Sequence, residues 1–89
     1  MATVTIDAET ARHVLWHYGH PSGWVPGSFT VLLMRVIDAA DYVHKNRLRT
    51  VYPELVAAMD LAATREDGID RLQRIAGIPA PAPTAPASA

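Results

Sequence analysis

Cysteine is absent from this 89-residue chain, which excludes a disulfide scaffold, a thiolate metal site and a cysteine nucleophile. Neither sign of charge predominates, because the chain has eight Lys and Arg residues and nine Asp and Glu residues, a formal net charge of −1. This balance creates no overall field to hold a polyanion. No apolar run approaches the ~20 residues of a membrane span, and the first ten residues have no basic region followed by an apolar one. We therefore expect a cytoplasmic protein that does not cross a membrane.

Large side chains are missing from the C-terminal end, where residues 79–89 read PAPAPTAPASA and contain four of the seven prolines. This composition predicts a disordered Pro/Ala-rich tail. Residues 1–6 alternate weakly and predict a short extended segment, which leaves residues 7–78 as the helical domain. A unit of this size has one apolar core, with a net stability of about 3–5 kcal/mol.

Apolar residues recur at helical spacing through most of residues 7–78. The first helix is expected to begin after Asp7, its N-cap, and to stop at Gly19. A Gly/Pro loop over residues 19–28 follows, and Ser28 is expected to cap the second helix. The spacing i, i+3, i+4, i+7, i+8 and i+11 predicts the residues of this helix that face the core: Phe29, Leu32, Leu33, Val36, Ile37 and Ala40.

The third apolar stripe contains a proline. Asp41 is expected to begin a new helical turn, with Lys45 four residues later as a stabilising partner. Because Pro53 removes a helical hydrogen bond, we expect a break or kink between residues 50 and 53. A last short helix is predicted over about residues 68–76. Both pieces of the third stripe are expected to pack on one core, since it keeps its register: Leu48, Val51, Tyr52, Leu55, Val56 and Met59. The fold class predicted is an all-α bundle of four to five short helices.

Three histidines lie close together in the sequence, at positions 13, 17 and 20. His13 and His17 are four residues apart and share one face of the first helix, an arrangement common in helical zinc sites. Val-Leu-Trp separates them, so the glutamate base of the zinc-protease motif is absent. A metal site of His13, His17 and His20 is one hypothesis, and a solvated histidine face is the other.

Aromatic residues are few, and four of them lie between residues 16 and 29. Trp16 falls off the apolar stripe of its helix, and Trp24 lies in the Gly/Pro loop. Aromatic side chains beside histidine are typical of protein-binding hot spots. The alternative is that Trp24 folds back as a lid on a small core. The residues predicted to contact a protein partner are His13, Trp16, His17, His20 and Trp24.

The only basic run in the sequence spans residues 44–49, His-Lys-Asn-Arg-Leu-Arg. In a helix, Lys45 and Arg49 share one face, and two successive helices invite comparison with a helix-turn-helix. Pro53 keeps the second element short. Binding of an anionic partner such as nucleic acid by Lys45, Arg47 and Arg49 is therefore an alternative to a solvated charged face.

No arrangement of residues in the sequence supports catalysis. Ser28 follows Gly27 without a nucleophile elbow, and Gly19, Gly23 and Gly27 lack the lysine and hydroxyl of a phosphate-binding loop. No pair of carboxylates is expected to share a cleft. We predict that the protein is not an enzyme and binds no cofactor.

A pattern between residues 15 and 62 resembles that of small uncharacterised helical proteins of actinobacteria and of their phages and prophages. In those proteins a proline often follows the aspartate at the position of Asp41, whereas Tyr42 stands here. The resemblance implies a cytoplasmic, phage-borne accessory protein and supplies no catalytic residue. The residues that carry it are Tyr18-Gly19, Trp24, Pro26-Gly27-Ser28-Phe29-Thr30, Ala40-Asp41, Asn46-Arg47, Leu48, Pro53 and Val56.

The function predicted from the sequence is a non-enzymatic protein–protein interaction module that acts on an unidentified host protein. Val31 and Met34, on the expected outer flank of the second helix, provide apolar surface for a homo-oligomer. The alternatives are a small helical nucleic-acid-binding protein and a histidine-based metal-binding protein.

Overall fold

The computed structural model describes residues 5–78, which contain five α-helices and no β-strand. The predicted all-α fold is confirmed. Most of the predicted extended segment, residues 1–6, and all of the predicted tail, residues 79–89, lie outside the described residues. The helices are α1 (Ala8–His17), α2 (Ser28–Ala39), α3 (Tyr42–Val51), α4 (Pro53–Thr64) and α5 (Gly68–Ile75).

The first and last helices have the predicted ends. The Asp7 carboxylate accepts a hydrogen bond from the backbone N–H of Thr10 at 2.8 Å and so caps α1. The same bond is the main reason why the pKa of Asp7 lies below its ordinary value. Gly19 (φ 80°) and Gly77 (φ 77°) follow α1 and α5 in the left-handed region, where glycine ends a helix at little steric cost.

The two predicted interruptions, at Asp41 and before Pro53, are also confirmed. Asp41 caps α3, because its carboxylate accepts a hydrogen bond from the backbone N–H of His44 at 2.8 Å. Pro53 is the first residue of α4, a position where its missing N–H leaves no helical bond unmade. The predicted Asp41–Lys45 pair is wrong, since Lys45 reaches across to Asp60 of α4 instead.

The core lies where α1, α4 and α5 meet, and α4 is the central helix that contacts the other four. At Gly68 an added methyl group would overlap the carbonyl oxygen of Leu61, so glycine allows α5 to begin directly against the backbone of α4. The buried apolar residues are Ala11, Val14 and Leu15 of α1, Leu33, Met34 and Ile37 of α2, Val56, Ala58 and Met59 of α4, and Leu72 and Ala76 at α5.

One side of α2 faces the core, but it is not the whole side that the sequence predicts. Phe29, Leu32 and Val36 were expected inside, and their side chains are 64%, 57% and 52% exposed. Apolar residues cover more than half of the circumference of α2, so periodicity alone does not decide which sector is buried. The buried sector lies about a quarter-turn away and consists of Leu33, Met34 and Ile37.

The predicted self-association surface at Val31 and Met34 is therefore wrong. Met34 is fully buried (0% exposed) and Val31 is half-buried, because the buried sector turns these positions inward. The start of this helix also differs from prediction by one residue. Its N-cap is Gly27, which makes no side-chain cap bond, and Ser28 is the first helical residue.

Within Tyr42–Val51, α3 has no fully buried residue. Leu48 is half-buried and packs against the core, whereas Val51 is 66% exposed. The prediction that both halves of the third stripe pack on one core is therefore confirmed for Leu48 and wrong for Val51. The break at Tyr52 redirects the chain, so α3 packs beside α4 with only part of its apolar stripe turned to the core.

In the part of the chain that the structure describes, every helix is too short or too polar to cross a bilayer.

Candidate interaction surface

The Gly/Pro loop after α1 folds back along that helix. The backbone N–H of Trp24 donates to the carbonyl of Arg12 at 3.0 Å, and the Arg12 guanidinium donates to the carbonyl of Ser22 at 2.9 Å. The guanidinium also lies 4.7 Å from the centroid of the Trp24 ring, a cation–π distance. At Gly23 an added methyl group would overlap the backbone of Trp16, so the loop contacts α1 directly. Trp24 is thus 52% exposed and packs on Arg12 rather than over the core.

Two of the predicted histidines hold elements together. His17 pairs through Nε2 with the Asp38 carboxylate at 2.6 Å and joins the last turn of α1 to the last turn of α2. His20 accepts a hydrogen bond from the backbone N–H of Ser22 at 3.0 Å through Nδ1, and its Nε2 lies 2.8 Å from the side-chain amide of Gln73 in α5. Because Nδ1 accepts, Nε2 carries the proton, and the amide orientation that satisfies it presents oxygen. Both imidazoles therefore have structural partners.

The third histidine, His13, lies elsewhere. It lines a shallow groove of about 440 Å³ whose polar wall also contains Glu9 and Glu54. The structure does not bring His13, His17 and His20 into one site. Among residues 5–78, no three His, Asp or Glu side chains are placed to hold a metal ion.

The predicted nucleic-acid residues do not form an open cationic surface. The Asp60 carboxylate lies 3.3 Å from Lys45 Nζ and 2.9 Å from an Arg49 guanidinium nitrogen. One carboxylate of α4 therefore pairs with two of the three predicted phosphate contacts and neutralises one of their two charges. Arg47 points the other way, to the rim of a groove between α2 and α3.

The largest exposed apolar feature along α2 is a row of side chains that we call the α2 seam. It consists of Phe29, Leu32, Val36 and Ala39, all of which are exposed. The seam borders the buried sector of the same helix, so α2 is apolar on two adjoining sides. A soluble helix that covers one core needs one such side.

An open groove of about 610 Å³ runs between the seam and α3. Its walls are mainly apolar, and exposed apolar surfaces of this kind mark interaction sites in small proteins. One polar end is formed by Asp41 and His44, whose ring Nδ1 lies 2.8 Å from the Asp41 carboxylate. The lining residues are Val36, Ala39, Ala40, Asp41, His44, Arg47, Leu48 and Val51.

The opposite end of this surface is aromatic. The rings of Phe29 and Tyr52 lie 6.3 Å apart between centroids, at an interplanar angle of 52°. Val51 lines both the large groove and the shallow groove that contains His13, so the two form one continuous surface. The apolar surface therefore runs along the full length of α2.

The charges at the rim of the groove are held in place by the fold. The backbone N–H of His44 lowers the pKa of Asp41, and the His44 ring lowers it further. Asp41 is thus ionised at neutral pH, close to His44 and to the exposed Arg47. The rim has charges of both signs around an apolar floor, which is the usual composition of a protein-binding surface.

The contact residues predicted from the sequence lie on α1 and in the loop after it, and the prediction missed the α2 seam. The seam residues were assigned to the core because their spacing fits a helix face. One signal was available: a 12-residue helix with eight apolar residues, SFTVLLMRVIDA, has more apolar surface than a chain of this size buries.

We find no significant match to this chain among protein-family models, curated proteins or solved structures.

Proposed function

We propose that this protein is a non-enzymatic protein–protein interaction module whose contact surface is the α2 seam with the adjoining α2–α3 groove. The observation that carries the proposal is the exposure of Phe29, Leu32 and Val36 in one row beside Val51. Burial of a large apolar side chain contributes about 1.5–3 kcal/mol. A chain with so small a core leaves this contribution unused unless a partner covers the row.

The contact residues predicted from the sequence have a smaller part in this proposal than the α2 seam. Trp24 is 52% exposed and packs on Arg12, so it presents an aromatic ring to solvent beside α1. His17 and His20 are engaged by Asp38 and Gln73, which makes them supports of the fold rather than contact residues. His13 lines the adjoining shallow groove, and Trp16 is half-buried.

The setting of the partner rests on the resemblance alone. Small helical proteins of actinobacteria and their phages and prophages suggest a cytoplasmic accessory protein that acts on a host protein. Nucleic-acid binding by Lys45, Arg47 and Arg49 has less support, because Asp60 pairs with Lys45 and Arg49. A histidine-based metal site has less support still, because the three side chains face different neighbours.

Site-specific photo-crosslinking in the producing cells tests the proposal. Replacement of Leu32 by benzoylphenylalanine puts the probe on the seam, and replacement of the exposed Glu66 puts it in the loop before α5 as a matched control. The expected result is a protein adduct from position 32 that survives nuclease, with little or none from position 66. Absence of any protein adduct at position 32, or equal adducts at both positions, contradicts the proposal.

A further inference from the structure

The spacing of the α2 seam residues indicates what kind of structural element packs against the seam. Phe29, Leu32, Val36 and Ala39 are separated by three, four and three residues, which is the alternation of a and d positions in a coiled coil. Val25 and Val43, both exposed, lie outside Ser28–Ala39, so the row consists of these four residues of α2. A row with this 3.5-residue period packs against another helix at a crossing angle of about 20°. The occupant is therefore a helix that lies along α2.

We propose that this helix is α2 of a second copy of the chain, paired antiparallel about a two-fold axis near residue 34. The inference rests on the proposed function, because it names the partner of the same surface. In this register Phe29 meets Ala39 of the second copy, and Leu32 meets its Val36. The largest seam residue thus faces the smallest, and the two intermediate ones face each other. A surface that is complementary to itself is what a two-fold dimer requires.

The area is sufficient for a reversible dimer. Phe29, Leu32, Val36 and Val51 are each between 52% and 66% exposed, so their burial in both copies gives an interface on the order of 1,000 Å², the lower size limit of a specific interface. The formal net charge of −1 leaves little long-range repulsion between copies. We therefore expect a dimer that dissociates on dilution rather than a permanent one.

One charge flanks the seam and makes the register testable. Arg35 is exposed and follows Leu32 by three residues, on the edge of the row away from the buried sector. In the antiparallel register Arg35 lies beside the two-fold axis, close to Arg35 of the second copy. The two positive charges repel each other. Asp38 is held by His17 and does not neutralise it. Because salt screens such repulsion, added salt should strengthen the dimer.

Sedimentation over a hundredfold range of concentration tests the dimer. Leu32→Glu is expected to weaken dimerisation by at least about tenfold, while Tyr42→Glu, at an exposed apolar residue outside the seam and the groove, leaves it unchanged. Leu32 is more exposed than buried, so the variant should keep the helical circular dichroism of the parent. A monomer at all concentrations overturns the inference, and a dimer that weakens with salt overturns the register.

The absence of cysteine allows the register to be tested directly. Phe29→Cys and Ala39→Cys chains are each oxidised alone and then as a mixture. The antiparallel pairing predicts a disulfide-linked dimer in the mixture and little in either chain alone. Linkage of Phe29→Cys to itself contradicts the register. If the chain is monomeric while position 32 still crosslinks to another protein, self-pairing fails and the interaction module stands; if position 32 gives no adduct, both fail.

Discussion

The α1–α4–α5 region and the α2–α3 region of this small protein are built differently. In the first, each helix contributes buried side chains, and α5 begins so close to α4 that position 68 must be glycine. In the second, α3 has no fully buried residue within Tyr42–Val51, and α2 exposes as many large apolar side chains as it buries. Stability therefore resides mainly in the first region, and the apolar surface left for a partner lies in the second.

This division follows from chain length. Fewer than eighty residues enclose one small core, and a core of that size is filled by three helices and one side of a fourth. The remaining helix, α3, reaches the core only through the half-buried Leu48 and otherwise contacts α4 through the Asp60 ion pairs. A second apolar side on α2 is therefore left more than half exposed in the described chain, residues 5–78.

The largest expected difference between the two regions comes from a matched pair of leucine truncations. Leu15→Ala removes a fully buried side chain of α1 and should cost about 2–5 kcal/mol of the free energy of unfolding. Leu32→Ala removes an exposed side chain of α2 and should cost less than about 0.5 kcal/mol in the monomer. Urea denaturation of dilute protein measures both. Equal losses would mean that the exposed side of α2 contributes as much to the core as α1 does, which would contradict the division into two regions.

The same division separates what the sequence could and could not predict. The ends of α1, the start of α3 and the break before Pro53 depend on nearby residues such as Asp7 and Asp41, and these predictions are confirmed. The buried sector of α2 depends on where α4 lies, which no local pattern contains. Met34 was therefore placed outside and Phe29 inside, the reverse of what the structure has.

The histidines show the same limit. The spacing of His13 and His17 correctly places both on α1, but their partners come from distant parts of the chain. Asp38 of α2 binds His17, and Gln73 of α5 meets His20, so tertiary packing separates groups that are close in sequence. Proximity in the chain was a poor guide to a shared site, because His17 and His20 bind different helices and His13 lines a groove.

Acid should loosen the two regions through different carboxylates. The pKa of Asp41 in the fold is lowered by the His44 backbone hydrogen bond, and that of Asp7 by the Thr10 bond, both below the ordinary 3.8. A carboxylate whose pKa is lowered by folding stabilises the fold at any pH above its pKa in the unfolded chain. This contribution is lost as the pH falls below about 3.8. We expect stability to decline below that pH.

Asparagine at these two positions separates the contributions, because it caps a helix as well as aspartate but does not titrate. Asp41→Asn should reduce the acid dependence of α3 amide chemical shifts and leave the urea midpoint at neutral pH nearly unchanged. Asp7→Asn should instead reduce the acid dependence of global unfolding. If both variants act only on the global transition, α3 does not open separately from the core.

The smallest expected effect tests whether α2 itself opens separately. Gly27 caps α2 with extended backbone (φ −66°, ψ 164°), makes no side-chain cap bond, and has open space where a Cβ would stand. Gly27→Asp should add a cap bond and a negative charge at the helix N-terminus, a gain of about 0.3–1 kcal/mol, and Gly27→Asn supplies the cap without the charge. If α2 opens separately, amide hydrogen exchange slows within α2 and hardly elsewhere. Slower exchange throughout α1 and α5 would instead join α2 to the core, and a loss of stability would contradict the cap itself.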